Sequence, residues 1–277
     1  MIKKKRILIS GGAGSIGSEL VRQLSKNNKI YILDNNESGL FDTIEPLKEQ
    51  GLWVYGRVGD IRNIETVRDV FEDFKPQIVI NAAALKHVPL MELTPMEAIQ
   101  TNVIGHYNLV HVSKTWECVE KFVFVSSDKV VNGNSIMGIT KKLGEVITCN
   151  QGKGFVAVRF GNVMGSRGSL FTIWQRQANE GKPITVTHKD MERYFMSIEE
   201  AVSLVIEAAE IGEGGEVICW DMGKKVNILE LATRLVQELK SDVKVTGTRA
   251  GEILSERLMT LEEEARSEKK GKFIIIK

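Results

Sequence analysis

An apolar run, Ile7-Leu8-Ile9-Ser10, ends abruptly in Gly11-Gly12-Ala13-Gly14-Ser15-Ile16-Gly17, and a helical period carried by Leu20 and Leu24 follows at once. A strand, a glycine-rich turn and a helix in that order constrain the fold more than any other feature, because this is the phosphate-binding opening of a βαβ unit. The spacing Gly11, Gly14, Gly17 gives each glycine a task. The first permits a tight turn, the second lets backbone approach a pyrophosphate, and the third lets the helix lie close on the strand. The N–H groups around Ser15 and Ile16 open the helix and face the phosphates. The second strand ends in Asp34, at the distance expected of a ribose-binding acid. Its carboxylate accepts from a 2′-hydroxyl and repels a 2′-phosphate, which favours NAD. Asn35 and Asn36 shape the same corner and keep NADP open.

Further β-branched runs recur between helical patterns, giving expected strands at 7–10, 29–34, 53–58, 77–81, 122–126 and 155–159. Continuously apolar strands such as Phe122-Val123-Phe124-Val125 suit a sheet covered on both faces. The expected fold is therefore α/β, a doubly wound parallel sheet of Rossmann type. Residues 1–159 form the dinucleotide-binding domain and 160–277 mainly a smaller C-terminal substrate lobe, with a segment of about 190–222 returning to the sheet. At 277 residues and 43% hydrophobic content the chain has ample material for a core, and no stretch has a disordered composition. A net charge of +1 gives no electrostatic case for nucleic acid or an anionic membrane. Three scattered cysteines, Cys118, Cys149 and Cys219, argue against disulfides and zinc, so no metal site is expected. No apolar run reaches the roughly 20 residues of a membrane span, and no signal-peptide pattern stands at the start, so a cytoplasmic location is expected.

Chemistry in such a sheet sits at the carboxyl ends of the strands. Asp60, before Ile61, closes the third strand; it either reaches an adenine amino group or caps the next helix. Ala82-Ala83-Ala84 closes the fourth, where small side chains suit either a close-lying cofactor or tight packing. The fifth runs into Ser126-Ser127-Asp128-Lys129, and Met137 and Lys141 follow at i, i+4 on one helix face. Asp128 and Lys129 place an acid and a potential base together, although such a pair alone is also an ordinary solvated turn.

Taken together, these strings resemble the polysaccharide-biosynthesis branch of the extended short-chain dehydrogenase/reductases, the UDP-N-acetylglucosamine 4,6-dehydratase family. Besides the glycine loop, the resemblance is carried by the run from Ala82 to Glu92, by Pro95-Met96-Glu97-Ala98-Ile99 with Thr101-Asn102-Val103, and by Val125 to Lys129. It continues in Met137-Gly138 with Lys141, in the run from Val158 to Ser169, in Thr185-Val186-Thr187-His188, and in Arg193-Tyr194-Phe195-Met196. It covers nearly the whole chain. Short-chain dehydrogenases usually place a tyrosine where Met137 stands, and some dehydratases of this branch are similar in carrying methionine there. Many relatives add a membrane-spanning N-terminal half. Asn81 stands where histidine is common and Ser127 where threonine is, and the stretch Arg249-Ala250-Gly251-Glu252-Ile253-Leu254 departs from the usual Arg-Pro-Gly-Glu-Lys-Leu.

The resemblance implies a hydro-lyase that converts UDP-N-acetylglucosamine to a UDP-4-keto-6-deoxy sugar for surface-glycan precursors. The 4-hydroxyl is oxidised, water leaves across C5 and C6, and the hydride returns to C6; the cofactor is regenerated each turn. It assigns Lys129 to the C5 proton, Asp128 to the departing hydroxyl, and Ser126 or Ser127 to a substrate oxygen. Lys141 holds the nicotinamide ribose and favours loss of the 4-hydroxyl proton electrostatically; the resemblance leaves open what accepts that proton with Met137 in place of tyrosine, and Lys141 through a water is the expectation taken here. Asn102 joins the cofactor contacts. Lys86, His87, Asn162, Ser166, Arg167, Thr185, Arg193, Arg249 and Glu252 are implied on the substrate side, the arginines for diphosphate or uracil. His87 has an equally good structural reading. The helices after the fourth and fifth strands are the implied face of a homo-oligomer, a dimer or higher. Two other functions compete: a nucleotide-sugar 4-epimerase or 4-keto reductase, which has no use for a C5 base, and a non-catalytic dinucleotide sensor.

Overall fold

The computed structural model describes residues 2–239 and 241–277. Six parallel strands follow one another with the expected bounds to within a residue: β1 (Arg6–Ser10), β2 (Lys29–Asp34), β3 (Val54–Val58), β4 (Ile78–Asn81), β5 (Lys121–Val125) and β6 (Phe155–Arg159). The chain then leaves the sheet for small ribbons, in which β7 (Asn162–Val163) pairs with β10 (Phe195–Met196), β8 (Ile184–Val186) with β13 (Val243–Val245), and β9 (Glu192–Arg193) with β12 (Val226–Asn227). β11 (Glu216–Trp220) comes back beside β6, and an antiparallel hairpin, β14 (Ser267–Lys270) and β15 (Phe273–Ile276), extends that edge. The order across the sheet is β14-β15-β11-β6-β5-β4-β1-β2-β3. The hairpin was not among the expected strands.

Helices cover both faces. α1 (Ser15–Leu24), α2 (Glu37–Glu49) and α9 (Ile198–Ile211) bury Leu20, Leu40 and Val202 against Ile7 and Ile9; α3 (Ile64–Phe74) and α6 (His106–Thr115) bury Phe71 and Leu109 against Leu8. The strand period of two therefore sends alternate residues of β1 into two separate apolar layers. Short helices α4 (Val88–Leu93) and α5 (Pro95–Ile99) and a π-helical turn (Gln100–Gly105) lead into α6, and α7 (Ile136–Cys149) follows β5. The smaller lobe has its own core, in which Trp174 of α8 (Leu170–Asn179), Ile184, Val186, Met191 and Ile228 of α10 (Ile228–Leu239) pack together. The last helix, α11 (Leu261–Ala265), carries a capping box between Thr260 and Glu263. No helix among the described residues is long and apolar enough to cross a membrane.

Candidate active site

The glycine turn lies on the end of β4. Gly11 has φ +73°, and a Cβ there would stand 2.5 Å from Ala83 N; one on Gly17 would stand 2.1 Å from Gly11 O. Only glycine fits either position. Gly14 caps α1 without a side-chain bond and the first turn carries no acidic residue, so its leading N–H groups remain free for an anion. Asp34 is fixed by Ala13 N (2.9 Å to Oδ2) and Asn36 N (2.9 Å to Oδ1). Together with Gly11, Gly14, Asn35, Asp60, Ile61 and Ala82 to Ala84 it lines a cavity of about 260 Å³. Asp60 bonds Arg62 rather than a helix end; the cap of α3 is Asn63, which accepts from Glu65 N and Thr66 N. Asn102 does not reach this cavity: buried, it accepts from Leu85 N (2.8 Å) and donates to Leu85 O and Thr140 Oγ1, which pins the loop after β4 to α7.

A second cavity, of about 290 Å³, adjoins the first at Ala82, Ala84 and Arg167, and Ile16, Ser126, Ser127, Lys129, Met137 and Lys141 all line it. Both serines donate their hydroxyl hydrogens to carboxylates, Ser126 to Glu145 (2.7 Å) and Ser127 to Asp128 (3.1 Å). As placed, they offer substrate lone pairs rather than a proton. Lys141 is 5% exposed, and its Nζ donates to Val125 O (2.7 Å) and stands 4.6 Å from the Phe124 ring centre. Burial holds its pKa down to about 7, with Glu145 opposing the shift. Met137 presents a buried thioether, packed with Met91 and Ala98. Lys129 Nζ reaches Asp128 Oδ1 (3.0 Å) and Asn162 Oδ1 (3.2 Å). Asp128 itself is 0% exposed and stands behind Lys129, outside the cavity lining.

A third cavity, of about 240 Å³, continues past Lys86, His87, Lys129 and Asn162 to Thr185, Arg193, Arg249 and Glu252. Arg193 is largely engaged within the protein, donating to the carbonyls of Glu192, Ile253 and Leu254. It thereby fixes the 249–256 segment. Arg249 is exposed and its backbone N–H bonds Glu252 Oε2 (3.0 Å). Ser166 donates to Val163 O, and the neighbouring Arg167 N–H donates to Ser15 Oγ (3.0 Å), which ties the 165–169 loop to the start of α1. Gly168, at φ +69°, packs on the His87 ring, where a Cβ would stand 2.4 Å from Cε1.

Sequence reasoning missed the buried ionic network beneath this centre. Arg159, at the end of β6, pairs with Glu145 (2.7 Å) and Glu263 (2.9 Å) and donates to Leu258 O. Glu145 is also the acceptor for Ser126, so the network buttresses the cavity floor. A lone arginine at the end of an apolar strand was the available signal. Glu256, 3% exposed and lining the third cavity, was missed as well.

Comparison with known proteins gives consistent matches. The family described as "Polysaccharide biosynthesis protein" matches residues 7–277. The chain is 41% identical over 281 residues to the capsular polysaccharide biosynthesis protein CapD of Staphylococcus aureus, covering 95% of this chain and 46% of that protein. It thus spans about half the length of that relative. It is 32% identical over 287 residues to a UDP-glucose 4-epimerase of Rickettsia bellii, covering 99% of this chain and 83% of that protein. The solved structure of Pen from Bacillus thuringiensis superposes with a TM-score of 0.93 at 30% identity, covering 99% of this chain and 88% of that one.

Proposed function

The chain belongs to the polysaccharide biosynthesis protein family, and from that premise we propose that it is an NAD-dependent nucleotide-sugar 4,6-dehydratase acting on UDP-N-acetylglucosamine. The observation that carries this reading is Lys129, an amine on the wall shared by the central and substrate-side cavities, steadied by Asp128 and Asn162. An epimerase that only rotates a 4-keto sugar has no work for such a base.

The cofactor half fits a dinucleotide. Glycine at 11 and 17 lets the loop lie against the Ala83 backbone and α1 against the loop, the open first turn of α1 suits a diphosphate, and Asp34 favours an unphosphorylated ribose. When bound there, NAD supplies a hydride acceptor for C4 oxidation and the same hydride for return. Lys141 has the role a tyrosine usually fills. With a pKa near 7 a large share of it is neutral at neutral pH, able to take the 4-hydroxyl proton, directly or through a water, where the thioether of Met137 cannot. Lys129 then takes the C5 proton, made acidic by the adjoining ketone. Arg167 and Arg249, both exposed on cavity walls, are suited to the substrate diphosphate. Tyr107, Ile139, Leu143 and Val146 are exposed on α6 and α7 and support a homo-oligomer assembled through that face.

The test is to incubate the protein with UDP-N-acetylglucosamine in heavy water and follow it by mass spectrometry and proton NMR. Loss of one water with deuterium at C5 is expected. Inversion at C4 without water loss would instead establish the epimerase, the reading that the Rickettsia relative favours. No change of either kind would remove both activities on this substrate.

A further inference from the structure

The 165–169 loop borders both halves of the site. Arg167 lines the cofactor cavity and the central cavity, and Ile16, in the first turn of α1, lines the central one as well. Ser15 joins the loop to that turn. Its Oγ accepts from Arg167 N at 3.0 Å, and no acceptor among the described residues takes its own hydroxyl hydrogen. That hydrogen is left for a ligand at the open N-terminus of α1, where a dinucleotide diphosphate is suited. One hydroxyl can hold a phosphate oxygen through its hydrogen and the loop through a lone pair, and each bond then polarises the other.

The rest of the loop is firmly seated. Gly165 and Gly168 turn the chain at φ +72° and +69°, and Gly168 packs on the His87 ring. Ser166 is buried and donates to Val163 O. The Arg167 side chain is left facing Lys86. Burial first and then the Arg167 charge hold the Lys86 pKa down, and no carboxylate among the described residues offsets them. Two cations that share a cavity wall without a counter-charge leave a place for an anion between them.

We propose that Ser15 is a positioning residue that links the two ligand sites: its hydroxyl gives its hydrogen to the dinucleotide diphosphate and its lone pair to the Arg167 N–H, so that filling the cofactor cavity holds Arg167 ready for the diphosphate of the nucleotide sugar. This deepens the nucleotide-sugar reading and rests on it. The linkage is reciprocal. An Arg167 held by the sugar diphosphate keeps the loop against Ser15, and Ser15 in turn keeps its hydrogen on the cofactor. Cofactor and substrate therefore bind more tightly together than apart.

Calorimetric titration with NAD, alone and with saturating UDP as the substrate-side probe, tests the link without recourse to turnover. NAD is expected to bind about 5- to 150-fold more tightly with UDP present, and UDP more tightly by the same factor with NAD present. Ser15→Ala should bring both ratios to within about twofold of unity, whatever it does to either affinity alone. Ser15→Thr keeps a hydroxyl on the same carbon and should restore the coupling. An NAD affinity of the unmodified protein that UDP leaves unchanged or weakens overturns the proposal. Coupling undiminished in Ser15→Ala overturns it equally, and coupling lost alike in Ser15→Ala and Ser15→Thr overturns it in favour of a packing role. If UDP does not bind the unmodified protein at all, the nucleotide-sugar reading itself falls and takes the proposal with it.

Discussion

Lys141→Met should stabilise the protein in mild acid and lose that advantage as the solution turns alkaline. In the fold the Lys141 ammonium has one carbonyl, Val125 O, and the face of Phe124 in place of water. Its pKa accordingly drops from the ordinary 10.5 to about 7. The sign follows from the proton count. Between those two values the unfolded chain holds a proton that the folded protein lacks, so stability rises with pH across that interval. Below it both states are protonated and the full penalty is present; above it the penalty is gone. At about 1.36 kcal/mol per pH unit the full penalty is roughly 5 kcal/mol. About two units of the interval lie between pH ~6 and pH ~9, so the stability gap between variant and parent should shrink by roughly 2.5–3 kcal/mol over that range. Urea unfolding of both proteins at the two pH values measures the gap directly. His106 is held at about 3 by burial first and then by the Lys141 charge, so what the variant changes at His106 lies on the acid side of this range. A gap that is the same at both pH values would refute the argument that burial, rather than some packing defect, governs this lysine.

Three other outcomes follow from the same geometry. C4 oxidation, followed as reduced cofactor in a single turnover, should accelerate as pH rises through about 7, because the neutral amine of Lys141 is the acting form; a rate that is flat through this region would remove it as proton acceptor. Asp34→Ala strips the acceptor that orders Ala13 N and Asn36 N, so NAD affinity in a direct titration should fall by about 10- to 100-fold while NADP is less affected. Arg159→Met leaves the buried carboxylates of Glu145 and Glu263 with only the half-exposed Lys142 as counter-charge and should cost about 3–5 kcal/mol in chemical denaturation. Adding Glu145→Gln and Glu263→Gln to it should recover most of that loss.

The parts of this molecule legible in the sequence are those set by short-range rules. Apart from the edge strand β3, where Tyr55 and Val58 are exposed, the leading strands are apolar on both faces, so periodicity located them. The glycine loop was legible because its backbone has no alternative, as the contacts awaiting a Cβ at Gly11 and Gly17 make plain. The hairpin at the far edge was harder: β14 reads Ser-Glu-Lys-Lys and is largely exposed, with none of the alternation that marks a half-buried strand. Asn102 and Arg193 carry the right chemistry for ligands, but the backbone around Leu85 and Ile253 takes their hydrogen bonds, and no spacing rule foresees that. Arg159 and Glu263 stand 104 positions apart, so their pairing is a product of topology alone. Asn63 is the opposite case: an asparagine just before a helix is a cap by its type, and it should have displaced Asp60 from that role.

The separation of Arg159 from its partner has a bearing on how the protein is made. At a synthesis rate of about 5–20 residues per second, the ribosome needs roughly 5–20 s after laying down β6 to reach the glutamate that completes the arginine's surroundings. Throughout that interval Glu145 is the carboxylate already made that can face the arginine, and β11, made partway through it, still lacks the hairpin that pairs with its outer edge. A half-made chain is therefore not a half-stable one.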